Sequence, residues 1–294
     1  MYIDMFGNPR IRLGLHHHTT LSDGRSSPEQ TAALYRDAGY DAIAFTDHWV
    51  HGNSITINGF PILSGGEYHV GIRDGYTGVY HIVCLCPDRQ PALDRDMTPQ
   101  QIIDGIHAAG GLAILAHPAW SLNTPEKIRE LQGIDAIEIY NTVSERGNSR
   151  RADASLIIDM LAMEGRYFPL LAADDSHYYE ESGNFADCCN AFIMAQCSEP
   201  DPVQIKKAIS EGRFYASTCP EIHLAVKDGR AYVDCSEVSE IVFLSNFVIT
   251  KGRVITGQKL THGEYEIQPG ETFIRAYVSD AAGRHAWTNC IPLR

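Results

Sequence analysis

Apolar runs of five or six residues recur along the first two-thirds of the chain, at positions 11–15, 42–46, 61–65, 81–86, 112–116, 135–140, 168–173 and 191–195. Each is bounded by polar, Gly or Pro residues, the pattern of strands covered on both faces. Helix-start signals stand between several of them. Ser27-Pro28-Glu29-Gln30, Thr98-Pro99-Gln100-Gln101 and Asp201-Pro202-Val203-Gln204 each offer an N-cap, a Pro at the first helical position and a Gln three after the cap. Thr124-Pro125 gives a fourth start, and Gly39 and Gly110-Gly111 supply stops. The alternation predicts an α/β domain with a mostly parallel sheet or barrel over residues 11–216.

Helical periodicity fades after about Ser217. The runs 221–226, 231–234, 241–244, 265–267 and 273–278 then alternate between turns, which predicts a small β-sandwich. The expected division is a hydrolase domain over 1–217 and an all-β domain over 218–294.

Composition narrows the picture. A chain of 294 residues, 44% apolar and 21% charged, can bury one large core and a small second one. The N-terminus lacks a basic cluster followed by an apolar run, and no stretch reaches membrane-spanning length, so a cytoplasmic protein without a membrane partner is expected. Eight cysteines without a CxxC motif read as reduced structural thiols. The 24 basic and 37 acidic residues give −13, which opposes stable binding of duplex nucleic acid and favours a small anionic partner.

Metal-type residues sit where the strands end. In an extended segment, His16 and His18 of His16-His17-His18 share one face and His17 points away. Asp47-His48 follows the run 42–46, Glu67 follows 61–65, His117 follows 112–116, and Asp175 and His177 repeat the i, i+2 spacing after 168–173. Strand ends of a parallel α/β barrel converge on one face, so these positions predict a multinuclear metal site. His81 begins its run instead of following it, and a hairpin over 67–81 would bring it back to Glu67. Imidazole mixed with carboxylate suits Zn, Mn or Fe.

With these residues in view, positions 11–217 closely resemble the PHP family of polymerase-associated and histidinol-phosphatase domains. The resemblance rests on HHHTTLSDG, FTDH, GGEY, the isolated His81, LAHP and DDSH. It implies a distorted (β/α)7 barrel holding two or three divalent transition metal ions. It further implies that His16, His18, Glu67 and Asp175 surround one ion, with Glu67 bridging to a second completed by His81 and His117. A third would take Asp23, His48 and His177. The sequence departs from the family pattern at Trp49 and in the loop 71–78, both near the expected mouth.

The expected activity is a metal-dependent phosphoesterase acting on a phosphomonoester or on a nucleotide or oligonucleotide end, because clustered divalent ions make hydroxide available near neutral pH and neutralise phosphate oxygens. Glu67 and Asp175 would serve catalysis as well as ligation, Asp47 and Asp174 would orient ligands or water or equally cap loops, and His51 is a candidate proton donor. Arg146, Arg150, Arg151 and Asn141 lie just past the run 135–140, and with Arg25 are candidates to bind the substrate phosphate. Tyr178-Tyr179 could stack a ring. Three alternatives stay open. A histidinol-phosphate phosphatase is disfavoured by the extra C-terminal part. An amidohydrolase-type enzyme also opens with HxH, but commonly places a metal-bridging Lys at a strand end, and here no Lys precedes Lys127. A non-catalytic metal-binding module is disfavoured because no ligand is missing.

Overall fold

The computed structural model describes residues 2–71, 78–178, 180–181 and 184–293. Most of the loop expected near the mouth, 72–77, lies outside the described residues, as does Tyr179. The main elements in chain order are β1 (Pro9–Gly14), α1 (Pro28–Asp37), β2 (Ala42–Ala44), β3 (Phe60–Leu63), β4 (Gly65–Val70), β5 (Tyr80–Leu85), α2 (Pro99–Ala108), β6 (Leu112–Leu115), α3 (Pro125–Arg129), β7 (Ala136–Asn141), α4 (Ser155–Met163), β8 (Leu170–Ala173), β9 (Phe192–Ala195), α5 (Pro202–Ser210) and β10 (Phe214–Ser217). They are followed by β11 (Ile222–Lys227), β12 (Arg230–Leu244), β13 (Val254–Glu266), β14 (Phe273–Ser279) and β15 (His285–Trp287).

The helix starts form as their residues dictate. Ser27 and Thr98 make complete capping boxes with Gln30 and Gln101, Asp201 accepts from the Val203 and Gln204 amides, and Thr124 accepts from Lys127. Gly39 and Gly110 follow the first two helices at φ of +83° and +81°, a conformation that glycine adopts without a Cβ penalty.

Parallel pairing holds within β1-β2-β3 and within β6-β7-β8, but β4-β5-β6 and β1-β9-β10 are antiparallel. The expected barrel is therefore two sheets, and not one closed ladder, among the described residues. One runs β8-β7-β6-β5-β4 and the other contains β10-β9-β1-β2-β3. Isolated bridges cross both seams, His17 to Ser176 and His48 to Glu67. The antiparallel β4–β5 hairpin sets His69 opposite His81, so the chain does return His81 to the rim occupied by Glu67.

The C-terminal strands do not form a self-contained sandwich. β15 pairs with β10, and the order β11-β12-β14-β15-β10 continues the larger sheet. The separate runs at 231–234 and 241–244 belong to one 15-residue strand, β12, whose register shifts between Asp234 and Val238. Buried side chains knit the parts together: Tyr35, Ile43 and Phe192 share a cluster with Phe243 and Val278, while Leu13, Leu63, Ile114 and Ile193 fill the space between the two sheets. Each such Leu, Ile or Phe contributes roughly 1.5–3 kcal/mol by leaving water. All eight cysteines are free thiols.

Candidate metal centre

Strand ends deliver nine residues to one place. His16 and His18 extend from β1, Glu67 lies in β4, His81 in β5, His117 just past β6, and Asp175 and His177 past β8. His48 follows β2, and Asp23 reaches in from the loop before α1. Gly24 makes that loop possible, since a Cβ there would stand 2.5 Å from the His18 carbonyl carbon. His17 points away as expected, donating from Nδ1 to the Ala44 carbonyl and packing edge-on against Tyr35.

The tightest group is His16, His18, Glu67 and Asp175, all buried. His16 Nε2 lies 3.2 Å from His18 Nε2, 3.4 Å from Glu67 Oε2 and 3.2 Å from Asp175 Oδ1. His18 Nε2 lies 3.2 Å from Glu67 Oε2 and 3.1 Å from Asp175 Oδ1. Ligands at the corners of a tetrahedron, each about 2.0–2.1 Å from its centre, stand about 3.3–3.4 Å apart. Five of the six edges of this group, at 3.1–3.4 Å, match that spacing. Asp175 Oδ1 is moreover buried without a hydrogen-bond partner, an orphaned acceptor that a cation would satisfy.

Two further groups adjoin it. Glu67 Oε1 meets His81 Nδ1 at 2.7 Å and His117 Nε2 at 3.3 Å, while its Oε2 meets His48 Nδ1 at 3.1 Å. Asp23 lies 3.5 Å from His18 Nδ1, 3.5 Å from His177 Nε2 and 3.8 Å from His48 Nε2. The first group matches the family division. The others differ from it in detail, because His18 also faces Asp23 and His48 stands between Glu67 and Asp23. His117 also approaches Asp175 Oδ2 at 3.6 Å.

Burial opposes charge on these side chains, yet the opposite charges prevail. Asp175, Glu67 and Glu138 hold His16 well above the ordinary imidazole range, and Asp175 and Glu67 raise His18 to about 9. The surrounding imidazoles in turn hold Glu67 and Asp175 well below the ordinary carboxylate range. A cation entering such a cluster would displace protons from it, since ligation requires neutral imidazoles. Backbone strain concentrates here too: His117 and Asp175 take φ of +29° and +52°, a region costly for residues with a Cβ and common at functional sites.

Glu138 was not foreseen from the sequence. Its Oε1 stands 2.7 Å from His16 Nδ1, while its Oε2 accepts from the His117 amide and from Asn141 Nδ2, each at 2.9 Å. It thereby holds His16 with Nε2 directed into the group. Its one signal was a lone carboxylate between Ile137 and Ile139 in an apolar strand.

Several expected roles are corrected by position. Asn141 is fully buried and donates to Glu138 and Asp175, so it supports the cluster and cannot meet a substrate. Asp47 accepts from Thr19 N, Thr19 Oγ1 and Ser22 Oγ, which clasps the loop beside His18 and leaves it poorly placed to move a proton. Asp174 ties Tyr35, Thr142, Asn190 and Ala191 together, and burial pushes it up to about 6. Tyr178 is buried and unable to stack an external ring.

A cavity of about 160 Å³ opens over the cluster, lined by Asp23, His48, Glu67, His81, His117, Trp120, Val143, Ser144, Asp175 and His177. His51, Arg25, Arg146 and Arg150 are absent from that lining. Arg25 and Arg146 are exposed, and Arg150 pairs with Glu145. Trp120 enters it unforeseen, edge-to-face with His81 and His117. A roomier cleft of about 460 Å³ between Arg12, Phe192, Tyr215 and Glu221 shares no residue with this cavity.

No family model matches the chain, and no curated protein matches its sequence. Among solved structures it is similar to a two-domain protein from Bacteroides vulgatus containing a predicted PHP-like metal-dependent phosphoesterase, at 16% identity and a TM-score of 0.50 over 99% of this chain and 97% of that one. It is also similar to a protein from Bifidobacterium adolescentis described as a candidate metal-dependent phosphoesterase (14% identity, TM-score 0.43, 69% of this chain and 97% of that one). An amidohydrolase from Chromobacterium violaceum with bound sulfate and no metal matches at 16% identity and a TM-score of 0.40, over 56% of this chain and 87% of that one. The first likeness shows a shared fold along nearly the whole chain.

Proposed function

From PHP-type motifs on a fold shared with a PHP-like protein, we propose that this chain is a metal-dependent hydrolase of phosphate esters. The observation that carries the reading is the close spacing of His16, His18, Glu67 and Asp175, with Asp175 Oδ1 buried and accepting no hydrogen bond. His16, His18, Glu67 and Asp175 would hold one cation, Glu67 with His81 and His117 a second, and Asp23 with His48 and His177 a third. Zn, Mn or Fe bound there would supply Lewis acidity toward phosphate oxygens and lower the pKa of water.

The chain's own residues orient and shield. Glu138 fixes the ring of His16, Asn141 steadies Glu138 and Asp175, and Asp47 clasps the loop that carries Ser22 against His18. Trp120 and Val143 narrow the cavity, which is smaller than the roughly 300–1,000 Å³ that encloses a whole small ligand. A phosphate end fits such a space better than an entire substrate.

The test is a panel of phosphomonoesters, nucleotides and short oligonucleotides assayed with Mn and with Zn, before and after chelation. Turnover of at least one that is lost on chelation and restored by metal is expected. Metal-loaded protein inert toward every phosphorylated compound would overturn the proposal.

A further inference from the structure

A seventh imidazole stands beside the centre. His69 follows Glu67 by two residues in β4, lies opposite His81 across the hairpin, and sets its Nδ1 3.4 Å from His48 Nδ1. On its outer side, Arg95 Nη1 comes within 3.4 Å of His69 Nε2. The Arg95 guanidinium carbon also lies 4.8 Å from the centroid of the Trp49 ring. Trp49 and His69 thus form two walls of a seat for one exposed guanidinium.

Arg95 is one of several arginines without a carboxylate partner among the described residues, but Arg12, Arg89 and Arg166 donate instead to backbone carbonyls. Arg10, Arg36, Arg129, Arg150, Arg213, Arg275 and Arg284 each reach a carboxylate, whereas among the described residues Arg95 has none within ion-pair distance. Asp94 and Asp96 flank it in sequence, but Asp94 instead accepts from the Asp96 amide. Contact with the Trp49 ring covers one side of the guanidinium, and the in-plane N–H groups other than the one directed at His69 stay available as a fork suited to two oxygens. Holding the long side chain on Trp49 also removes part of the entropy that binding would otherwise cost.

Resting on the phosphoesterase reading, we propose that Arg95 determines specificity by receiving a second anionic group, a carboxylate or a phosphate, on the part of the ester that stays outside the cavity. The small cavity admits the phosphate end, and the remainder of the substrate then lies at the rim where Trp49, His69 and Arg95 meet. The substrate class is a phosphate ester whose leaving group is itself negatively charged. Trp49, the residue that departs from the family pattern, supplies the surface on which the cation rests.

Two measurements decide it. The first needs no turnover: tryptophan fluorescence of the full-length chain, as purified and zinc-loaded, is titrated with inorganic phosphate in wild type, Arg95→Ala and Arg95→Lys. A saturable change is expected that weakens about tenfold in Arg95→Ala and less in Arg95→Lys, with unaltered circular dichroism. Superimposable titrations of wild type and Arg95→Ala, or no saturable change at all, would overturn the proposal. The second compares glycerol 2-phosphate, 2-phosphoglycerate and 2,3-bisphosphoglycerate, whose leaving groups carry no charge, a carboxylate, or a carboxylate with a phosphate. Arg95→Ala should raise KM for the charged members at least tenfold more than for the neutral one, with kcat less affected, and the member most affected identifies the anion. An equal KM change across the three counts against Arg95. If none is hydrolysed, the phosphoesterase reading is in difficulty, while the titration still decides whether Arg95 binds anions.

Discussion

Glu138→Gln is the most informative single change, because it alters one proton and almost no volume. In the native arrangement, the carboxylate takes the Nδ1 proton of His16 on one oxygen and two donors, the His117 amide and Asn141 Nδ2, on the other. A glutamine has one acceptor oxygen and one donor nitrogen. If its nitrogen faces His16, two donors collide unless the ring shifts its proton to Nε2, the atom that faces His18, Glu67 and Asp175. If its nitrogen faces the other way, it collides with His117 N and Asn141. Supporting residues of this kind typically change metal affinity or activity by about 10–100-fold, which is roughly 1.4–2.8 kcal/mol. The assay is competition of the loaded protein against a chromophoric chelator, beside elemental analysis of the metal retained. The expected result is a 10–100-fold weaker tightest site with unchanged far-UV circular dichroism. An affinity within twofold of wild type would refute the assignment of Glu138 as the residue that sets His16.

Other outcomes follow from the same geometry. Glu67→Ala removes the carboxylate that five imidazoles approach, so metal content and phosphatase rate should both fall by more than the roughly 100-fold ascribed to a supporting residue; unchanged turnover with full occupancy would exclude Glu67 from the site. His17 gives a pH dependence: burial, with smaller effects from His16 and His18, holds it at about 3, against 6.5 for an exposed imidazole. Between those values the unfolded chain binds the proton and the folded chain does not, so stability falls as pH is lowered through that window, by about 3 kcal/mol from pH 6.5 to pH 4. Urea unfolding of wild type beside His17→Gln should show this slope only in wild type, and parallel pH profiles would contradict it.

Much of the centre was legible because metal-type residues recur just past successive apolar runs, while Asp23 and the grouping of ligands rested on the family resemblance. His81 was readable through the hairpin that its reversed placement required. Glu138 was not, since a single carboxylate in an apolar strand carries no sign of a partner 122 residues earlier. Asn141 was misassigned because sequence gives proximity to a strand end but not the direction of the side chain. The C-terminal strands were seen as strands, yet their union with β10 through Trp287 and Ala286 depends on long-range pairing that local alternation does not encode. The register shift in β12 hid its continuity by interrupting the alternation.

The two sheets meet through backbone contacts made by the functional residues themselves: His16 and His18 bond across one seam to Asp175 and Ser176, and Asp47 and Trp49 bond across the other to Glu67. The centre is thus a fastener as well as a site. Cations gripped from both sides would rivet the halves together, so loading and mechanical integrity of this protein should rise and fall as one quantity. Its melting temperature should then climb with free metal concentration, and most steeply for the ion that joins β1, β4 and the end of β8.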